Sequence, residues 1–334
     1  MKVIELKDWG LEHVAVSDRA DPTCGPDDVL IEMHAAALNF RDFVFVRGGY
    51  GREGGPLPMV LLSDGAGRVI DVGKNVTRAA IGDLVCPTIM PGWIDGPIKD
   101  EYRRQSRGGS IDGVMAGKMA LPESAIVKAP DFYTPAEAAT LPCAALTAWN
   151  ALAGIKSGDL VLTQGTGGVS LFALQFARAM GATVVITSSS EEKLHRASAL
   201  GAQLGINYDS HPDWAKELLR MTGRRGADLV IELGGAESLP QSIRAVRTGG
   251  TIALIGVLSG ANAELELGRV VTRGLRLQAV TMGSRDDFEA MVTFIEQHKI
   301  KPVIDALRFT FAETRAAIAT MSQGRHFGKL VIEF

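Results

Sequence analysis

The sequence is poor in the residues that build disulfide frameworks and compact metal centres. Its three cysteines, Cys24, Cys86 and Cys143, are odd in number, far apart and outside any C-x-x-C spacing. Neither a disulfide scaffold nor a zinc ribbon is expected, and a reducing cytoplasm is the expected compartment. An excess of one charge is also missing, since 35 Lys and Arg face 38 Asp and Glu for a formal net charge of −3. That balance offers no basic footprint for nucleic acid. No stretch reaches about 18 uninterrupted apolar residues, and the start MKVIELKDWG alternates without the apolar centre of a signal peptide. No membrane partner and no export are expected. None of the six histidines lies in H-E-x-x-H, and neither a G-x-S-x-G elbow nor a G-x-x-x-x-G-K-[ST] loop occurs. Metalloprotease, serine-hydrolase and P-loop chemistry therefore have no local motif in their favour.

What is present is a change of texture along 334 residues. The first third is rich in Gly, Pro and short alternating runs such as DDVLIEMHAA, GAGRVIDVG and GDLVCPTIM, the pattern of a small all-β domain. From about residue 158 strands and helices alternate: LVLTQ, a helix over 169–180, TVVITS, a helix over 191–200, INY, ADLVIEL, TIALIGV and LRLQAVTMG. About six strands separated by helices predict an α/β fold with a doubly wound parallel sheet, because parallel neighbours need long crossovers. The end reads as helix, strand, helix and strand that rejoin the β domain.

The segment GTGGVS at 165–170 lies between the first of these strands and a helix. Gly165 permits a tight turn, Gly167 lets backbone approach a pyrophosphate, and Gly168 leads into the helix starting at Val169, whose free N–H groups attract phosphate. Ser170 stands where a third glycine completes the dinucleotide fingerprint. An NAD-binding unit usually carries an acid about 20 residues further on, for the ribose 2′-hydroxyl. Here the second strand ends in Thr187, Ser188, Ser189 and Ser190, with Lys193 in the next turn. Hydroxyls that donate and a lysine that neutralises suit a 2′-phosphate, so NADP(H) is the expected cofactor. Further cofactor contacts are expected at the carboxyl ends of the other strands, at Asn207, Tyr208, Leu233, Ile255, Val257, Met282 and Gly283.

The segments ALNFRDF, SDGAGRVIDVGKNVTRAAIGDLV, LPCAALTAW and the glycine-rich turn, taken in order, together resemble the medium-chain dehydrogenase/reductase superfamily, most nearly its zinc-free, quinone-oxidoreductase-like branch. The resemblance spans nearly the whole chain. It implies a GroES-like β-barrel catalytic domain at 1–127, a Rossmann NADP-binding domain at 128–283, a return to the catalytic domain at 284–334, and an active cleft between the two. Zinc-dependent relatives hold their metal with a Cys, a His-Glu pair and a second Cys, at positions resembling Asn39, Ser63 with Asp64, and Cys143. Only Cys143 there is a good zinc ligand, and the stretch resembling the relatives' structural-zinc lobe has no cysteine. No metal is expected.

Without a Lewis acid, hydrogen-bond donors must stabilise the oxyanion that forms as hydride arrives. The resemblance implies Tyr50, Asn39 and Asp42 as catalytic candidates, Tyr50 as a substrate contact, and Thr147, His326, Gly328 and Lys329 as further cofactor contacts, while Trp93 is read as a substrate wall. Asp42 has a purely structural reading as well, and Trp93 an alternative as core. The expected activity is NADPH-dependent hydride transfer to a small-molecule quinone or α,β-unsaturated carbonyl. Alcohol and ketone interconversion, and NADPH binding with little turnover, remain alternatives. Relatives commonly pair the last strand of the cofactor sheet with its two-fold mate, so LRLQAVTMG also implies a homodimer.

Overall fold

In the computed structural model the described residues are 1–50 and 54–334, and eight strands lie in the first 128: β1 (Lys2–Leu6), β2 (Val14–Asp18), β3 (Asp28–Ala37), β4 (Met59–Val60), β5 (Asp64–Val72), β6 (Leu84–Pro87), β7 (Lys118–Pro122) and β8 (Ile126–Lys128). β1 pairs antiparallel with β2 and β4, and β3 pairs antiparallel with both β5 and β7. The alternation predicted for DDVLIEMHAA appears in β3, where Val29, Ile31 and Met33 are buried and Glu32 between them is exposed. These side chains meet Ile4, Leu6, Leu61, Val69 and Val114 in one apolar core. Burial of that alternating face is what holds the small barrel.

The second unit, Thr147–Met282, contains β9 (Leu160–Gln164), β10 (Thr183–Ser188), β11 (Leu204–Asn207), β12 (Ala227–Glu232), β13 (Val246–Leu254) and β14 (Arg276–Ala279). All pair in parallel, in the order β11-β10-β9-β12-β13-β14. This is the doubly wound order with its reversal between β9 and β12, where such sheets bind ligands. β9 and β12, covered on both faces, are buried at every residue, whereas the edge strand β14 is mostly exposed. That contrast explains why LVLTQ and ADLVIE read as continuous runs.

The remainder, Gly283–Phe334, belongs with Met1–Leu146. The helix Arg285–His298 precedes β15 (Ile304–Thr310), and the helix Thr314–Ser322 precedes β16 (Lys329–Glu333). β16 pairs antiparallel with β3, and β15 joins β16 at the sheet edge. Both boundaries of the second unit differ from the sequence reading, the later one only by Gly283, which joins the first unit. Residues 128–146 lie in the first unit because the helix Pro135–Ala138 packs on β3, β5 and β6 and the turn Leu141–Ala145 packs on β5 and β6. The strand-to-helix alternation starts only after this segment, so texture alone left its allegiance open.

Candidate active site

In the first unit a buried polar cluster forms where β3 ends, β5 begins and β16 passes. β3 runs out at Ala37 and the helix Phe40–Val46 follows at once, with Asn39 at its N-terminus. The Asn39 side chain does not cap that helix. Its Oδ1 accepts from Lys329 Nζ at 2.6 Å, while its Nδ2 reaches Ser63 Oγ at 3.5 Å. Asp42 instead secures the turn, because its Oδ2 accepts the Asn39 backbone N–H at 2.7 Å. Asp42 is buried, and its Oδ1 has no partner among the described residues. Burial pushes its carboxyl up to about 7, against the pull of the Arg41 guanidinium and the Asn39 N–H.

Leu62 enters the cluster in the left-handed region, at φ 64°, and this turn delivers the fully buried Ser63 and Asp64. Asp64 Oδ2 accepts the backbone N–H of Cys143 at 3.3 Å and lies 3.4 Å from Lys329 Nζ, while Oδ1 accepts from Ser63 Oγ at 3.2 Å. Lys329 is 3% exposed and its third donor meets the carbonyl of Leu38 at 2.7 Å. An ammonium has three N–H bonds, and all three are engaged within this unit. Gly328, at φ 84°, leads into β16 with a side-chain direction that Val303 blocks, so only glycine sets Lys329 here. The Cys143 thiol is pushed up to about 12 by burial and by Asp64.

The other expected residues of this unit lie apart from the cluster or at its rim. Tyr50 is 38% exposed, and the Arg41 guanidinium reaches Ser106 Oγ at 2.7 Å and Arg107 O at 3.2 Å. Burial raises the Tyr50 phenol and Arg41 opposes it. Trp93 is buried, donates to Gly96 O at 2.9 Å and stacks on Tyr102. Gly283 and the partly buried His326 are also in this unit, beside Ser284 and Phe327 in sequence.

In the second unit the glycine-rich turn follows β9. Gly165 has φ 72°, and side chains built at Gly165 or Gly167 would meet open space. The turn therefore presents bare backbone to whatever lies above the N-terminus of the helix Gly168–Ala179, the fit a pyrophosphate requires. Ser170 is fully buried and its Oγ donates to Gln164 O at 2.6 Å. It ties helix to strand where a third glycine merely allows them to touch. Val169 lies in the first turn of that helix, and Thr147 is buried at the start of the unit.

At the end of β10, Ser188 is buried and its Oγ accepts the Ser190 N–H at 3.2 Å. Ser190 Oγ accepts the Lys193 N–H at 3.3 Å as the N-cap of the next helix. Ser189 faces solvent between them. Asn207, at the end of β11, donates to Glu191 Oε1 at 2.6 Å, and Tyr208 beside it is 40% exposed. Leu233, Ile255, Val257 and Met282 follow β12, β13 and β14, so the parallel order aligns them on the carboxyl edge with the glycine-rich turn. Met282 O accepts from Asn150 Nδ2 at 2.7 Å.

A pair not foreseen from sequence supports this edge. Gln164 Oε1 accepts the N–H groups of Leu233 and Gly234 at 3.0 and 3.1 Å, and its Nε2 donates to Glu232 Oε2 at 2.8 Å. Glu232, fully buried, also accepts from Ser238, Ser242 and the Gly235 N–H. The signal was a single acid closing the apolar run ADLVIE.

The comparisons with known proteins agree with this architecture. Residues 25–131 match the alcohol dehydrogenase GroES-like domain and residues 168–297 match the zinc-binding dehydrogenase model. A zinc-type alcohol dehydrogenase-like protein of Schizosaccharomyces pombe is 40% identical over 321 residues, covering 92% of this chain and 91% of the relative. This chain belongs to the medium-chain dehydrogenase/reductase superfamily. Among solved members, an NAD-dependent alcohol dehydrogenase is 34% identical with a TM-score of 0.91, covering 100% of both chains. A quinone oxidoreductase of Pseudomonas syringae is 27% identical with a TM-score of 0.83, covering 100% of this chain and 99% of that one.

As a medium-chain dehydrogenase/reductase, the protein is an oxidoreductase that uses a nicotinamide cofactor. The metal implied by the matched family description is a different matter. The cluster offers an amide, a hydroxyl, a carboxylate already bonded to an ammonium, and a single thiol. Zinc is bound by thiolate, imidazole and free carboxylate. Among the described residues no three His, Cys, Asp or Glu side chains come together as a metal site, and the cluster does not fit zinc.

Proposed function

We propose that the protein is a zinc-independent, NADPH-dependent reductase of quinones or α,β-unsaturated carbonyl compounds. The observation that carries this reading is Lys329 Nζ, held by Leu38 O, Asn39 Oδ1 and Asp64 Oδ2 among the residues that resemble metal ligands. When bound, the cofactor supplies hydride. Oxidising an alcohol requires removing a hydroxyl proton, a step that a bound metal eases by stabilising the alkoxide. Reducing a quinone or an enone gives a delocalised anion, which neutral hydrogen-bond donors stabilise without a metal. Asn39 and Tyr50 are such donors, and neither needs to titrate near neutral pH to act.

NADPH is favoured over NADH by the side chains after β10. Ser189 faces solvent, Lys193 stands in the first turn of the next helix, and Glu191 is engaged by Asn207. The test is a spectrophotometric panel: NADPH or NADH with quinones, enones, aldehydes and ketones, and NADP⁺ or NAD⁺ with alcohols, each in the presence and absence of chelator. NADPH oxidation confined to quinones or enones and indifferent to chelator is the expected result. Turnover restricted to alcohols and ketones, or lost with chelation, overturns the reading. Binding of NADPH without turnover across the panel overturns it too.

A further inference from the structure

We infer that the substrate is an α,β-unsaturated carbonyl compound bearing a carboxylate, and that the Arg41 guanidinium receives this group. The inference rests on the reductase reading given above. It begins with a charge that has no counterpart. Arg41 lies partly buried in the first turn of the helix Phe40–Val46, and its donors meet only neutral acceptors, Arg107 O from Nη1 at 3.2 Å and Ser106 Oγ from Nη2 at 2.7 Å. Among the described residues no carboxylate pairs with it. Asp42, next in the helix, gives its Oδ2 to the Asn39 N–H at 2.7 Å, and burial pushes its carboxyl up to about 7.

A second cation deepens the imbalance. Arg107, whose carbonyl Arg41 touches, is 4% exposed and donates to two more carbonyls, Thr88 O from Nε at 3.3 Å and Asp112 O from Nη1 at 3.2 Å. The Asp112 carboxylate is itself taken by Arg19 and by the Val60 N–H. Arginines are seldom buried without an anion, because the charge gives up its water and gains no partner in return. Two of them meeting at one loop leave a positive site that a ligand's charge can balance.

The Arg41 guanidinium is also fixed and within reach. Its bonds to Ser106 and Arg107 hold it, and Gly109 of the same loop passes so close that a Cβ there would stand 3.1 Å from Nη2. Three of its five N–H groups remain, enough for the two parallel bonds that a carboxylate accepts. Part of the side chain meets solvent, and the 38% exposed Tyr50 lies near enough for the Arg41 charge to act on its phenol. The phosphates of the cofactor are suited by the glycine-rich turn and the segment after β10, both in the second unit. Arg41 belongs to the first, with Asn39 and Tyr50, so we assign its anion to the substrate.

The experiment uses the full chain and a matched pair of enones, a 4-oxo-2-enoic acid and its methyl ester, which differ in charge. Arg41→Gln keeps a donor for Ser106 Oγ and removes the cation, with folding checked by Tm and by NADPH titration. The ratio of kcat/KM for acid over ester should fall roughly 10- to 150-fold in the variant, the scale of a hydrogen bond to a charged group. The ester alone should change less than about threefold. A folded variant that keeps the wild-type ratio within about threefold overturns the inference, as does one that loses NADPH affinity while that ratio stands. A wild type that reduces quinones but no enone overturns it too.

A second arm needs neither turnover nor a variant. The saturated 4-oxo acid, titrated calorimetrically into wild-type protein with NADP⁺ present, should bind at least about tenfold more tightly than its methyl ester, and added salt should narrow the gap. Equal affinities, or no binding of the acid, overturn the assignment. If the wild type reduces neither quinones nor enones, the proposed function falls, while this titration still decides whether the site holds a carboxylate.

Discussion

Gln164 and Glu232 close the carboxyl ends of the adjacent parallel strands β9 and β12, side chain to side chain, with Nε2 2.8 Å from Oε2. Through this contact the glycine-rich turn after β9 and the loop after β12 are held as one surface, since Gln164 also fixes the N–H groups of Leu233 and Gly234. Glu232→Ala removes the acceptor of the Gly235 N–H and of the Ser242 hydroxyl, and leaves the Gln164 amide with Ser242 Oγ alone and the Ser238 hydroxyl with only the long contact to Gly235 O. A cost of about 2–4 kcal/mol in stability is expected, because several buried donors lose their partner at once. Urea unfolding measures that, and cofactor titration should show weaker binding. An unchanged midpoint would mean the clamp has no energetic weight.

A pH dependence follows from Asp42. Its carboxyl binds protons more tightly when folded, with the value near 7, than when unfolded, near 3.9. The stability this contributes is full below about pH 4 and is lost as pH rises to about 7, since the folded state must then hold an ionised carboxylate whose Oδ1 has no partner among the described residues. Asp42→Asn keeps an oxygen for the Asn39 N–H and removes the charge. The variant should be more stable than wild type by about 2–4 kcal/mol at pH 8, with the gap closing towards pH 4. Denaturant unfolding of both proteins at several pH values checks this. A variant less stable at pH 8 would show that the ionised carboxylate is the better partner.

Local signals made most of the fold legible. Gly165 to Ser170 mark one strand-to-helix turn, and the structure starts the helix at Gly168, one residue before the sequence reading. The burial of β9 and β12 was visible as unbroken apolar runs. The candidate site was legible only in part, because its decisive contact joins Lys329 to Asn39 across 290 positions. No periodicity reports on such a pair. The resemblance led to Lys329 as a cofactor contact, whereas the structure engages all three of its donors around Asn39 and Asp64. Ser188 was read as a phosphate ligand; its Oγ accepts the Ser190 N–H and keeps its own O–H to donate, while Ser189 beside it is exposed. Serine at a strand end satisfies backbone or ligand equally well, and composition does not separate the two.

The exposed edge of the cofactor sheet bears on assembly. β14 ends the sheet with little cover, and the neighbouring helix Leu267–Thr272 exposes Leu267 at 66% and Val271 at 77%. An open strand edge beside apolar side chains invites pairing with a second copy. A homodimer through this edge is expected, and light scattering should report twice the chain mass of 35.5 kDa. Val271→Glu, on the solvent side, should shift the population towards monomer without lowering the unfolding midpoint. A monomeric wild type at working concentration would refute the proposal.

The choice between cofactors rests on the turn after β10. If Ser189 and Lys193 hold a 2′-phosphate, NADPH gains charge-assisted hydrogen bonds that NADH cannot make. Lys193→Ala should weaken NADPH by about 1.5–3 kcal/mol, or roughly 10- to 150-fold, with NADH little changed. Ser189→Asp should do more, since a carboxylate at this exposed position repels the phosphate and accepts from a free ribose hydroxyl. Ser188→Ala should affect both cofactors alike, through the turn it shapes. Fluorescence titration of both cofactors against wild type and the three variants separates these roles. Equal affinities in the wild type, or equal losses of both cofactors in Lys193→Ala, would reduce the serine-rich segment to a helix cap and reopen the case for NADH.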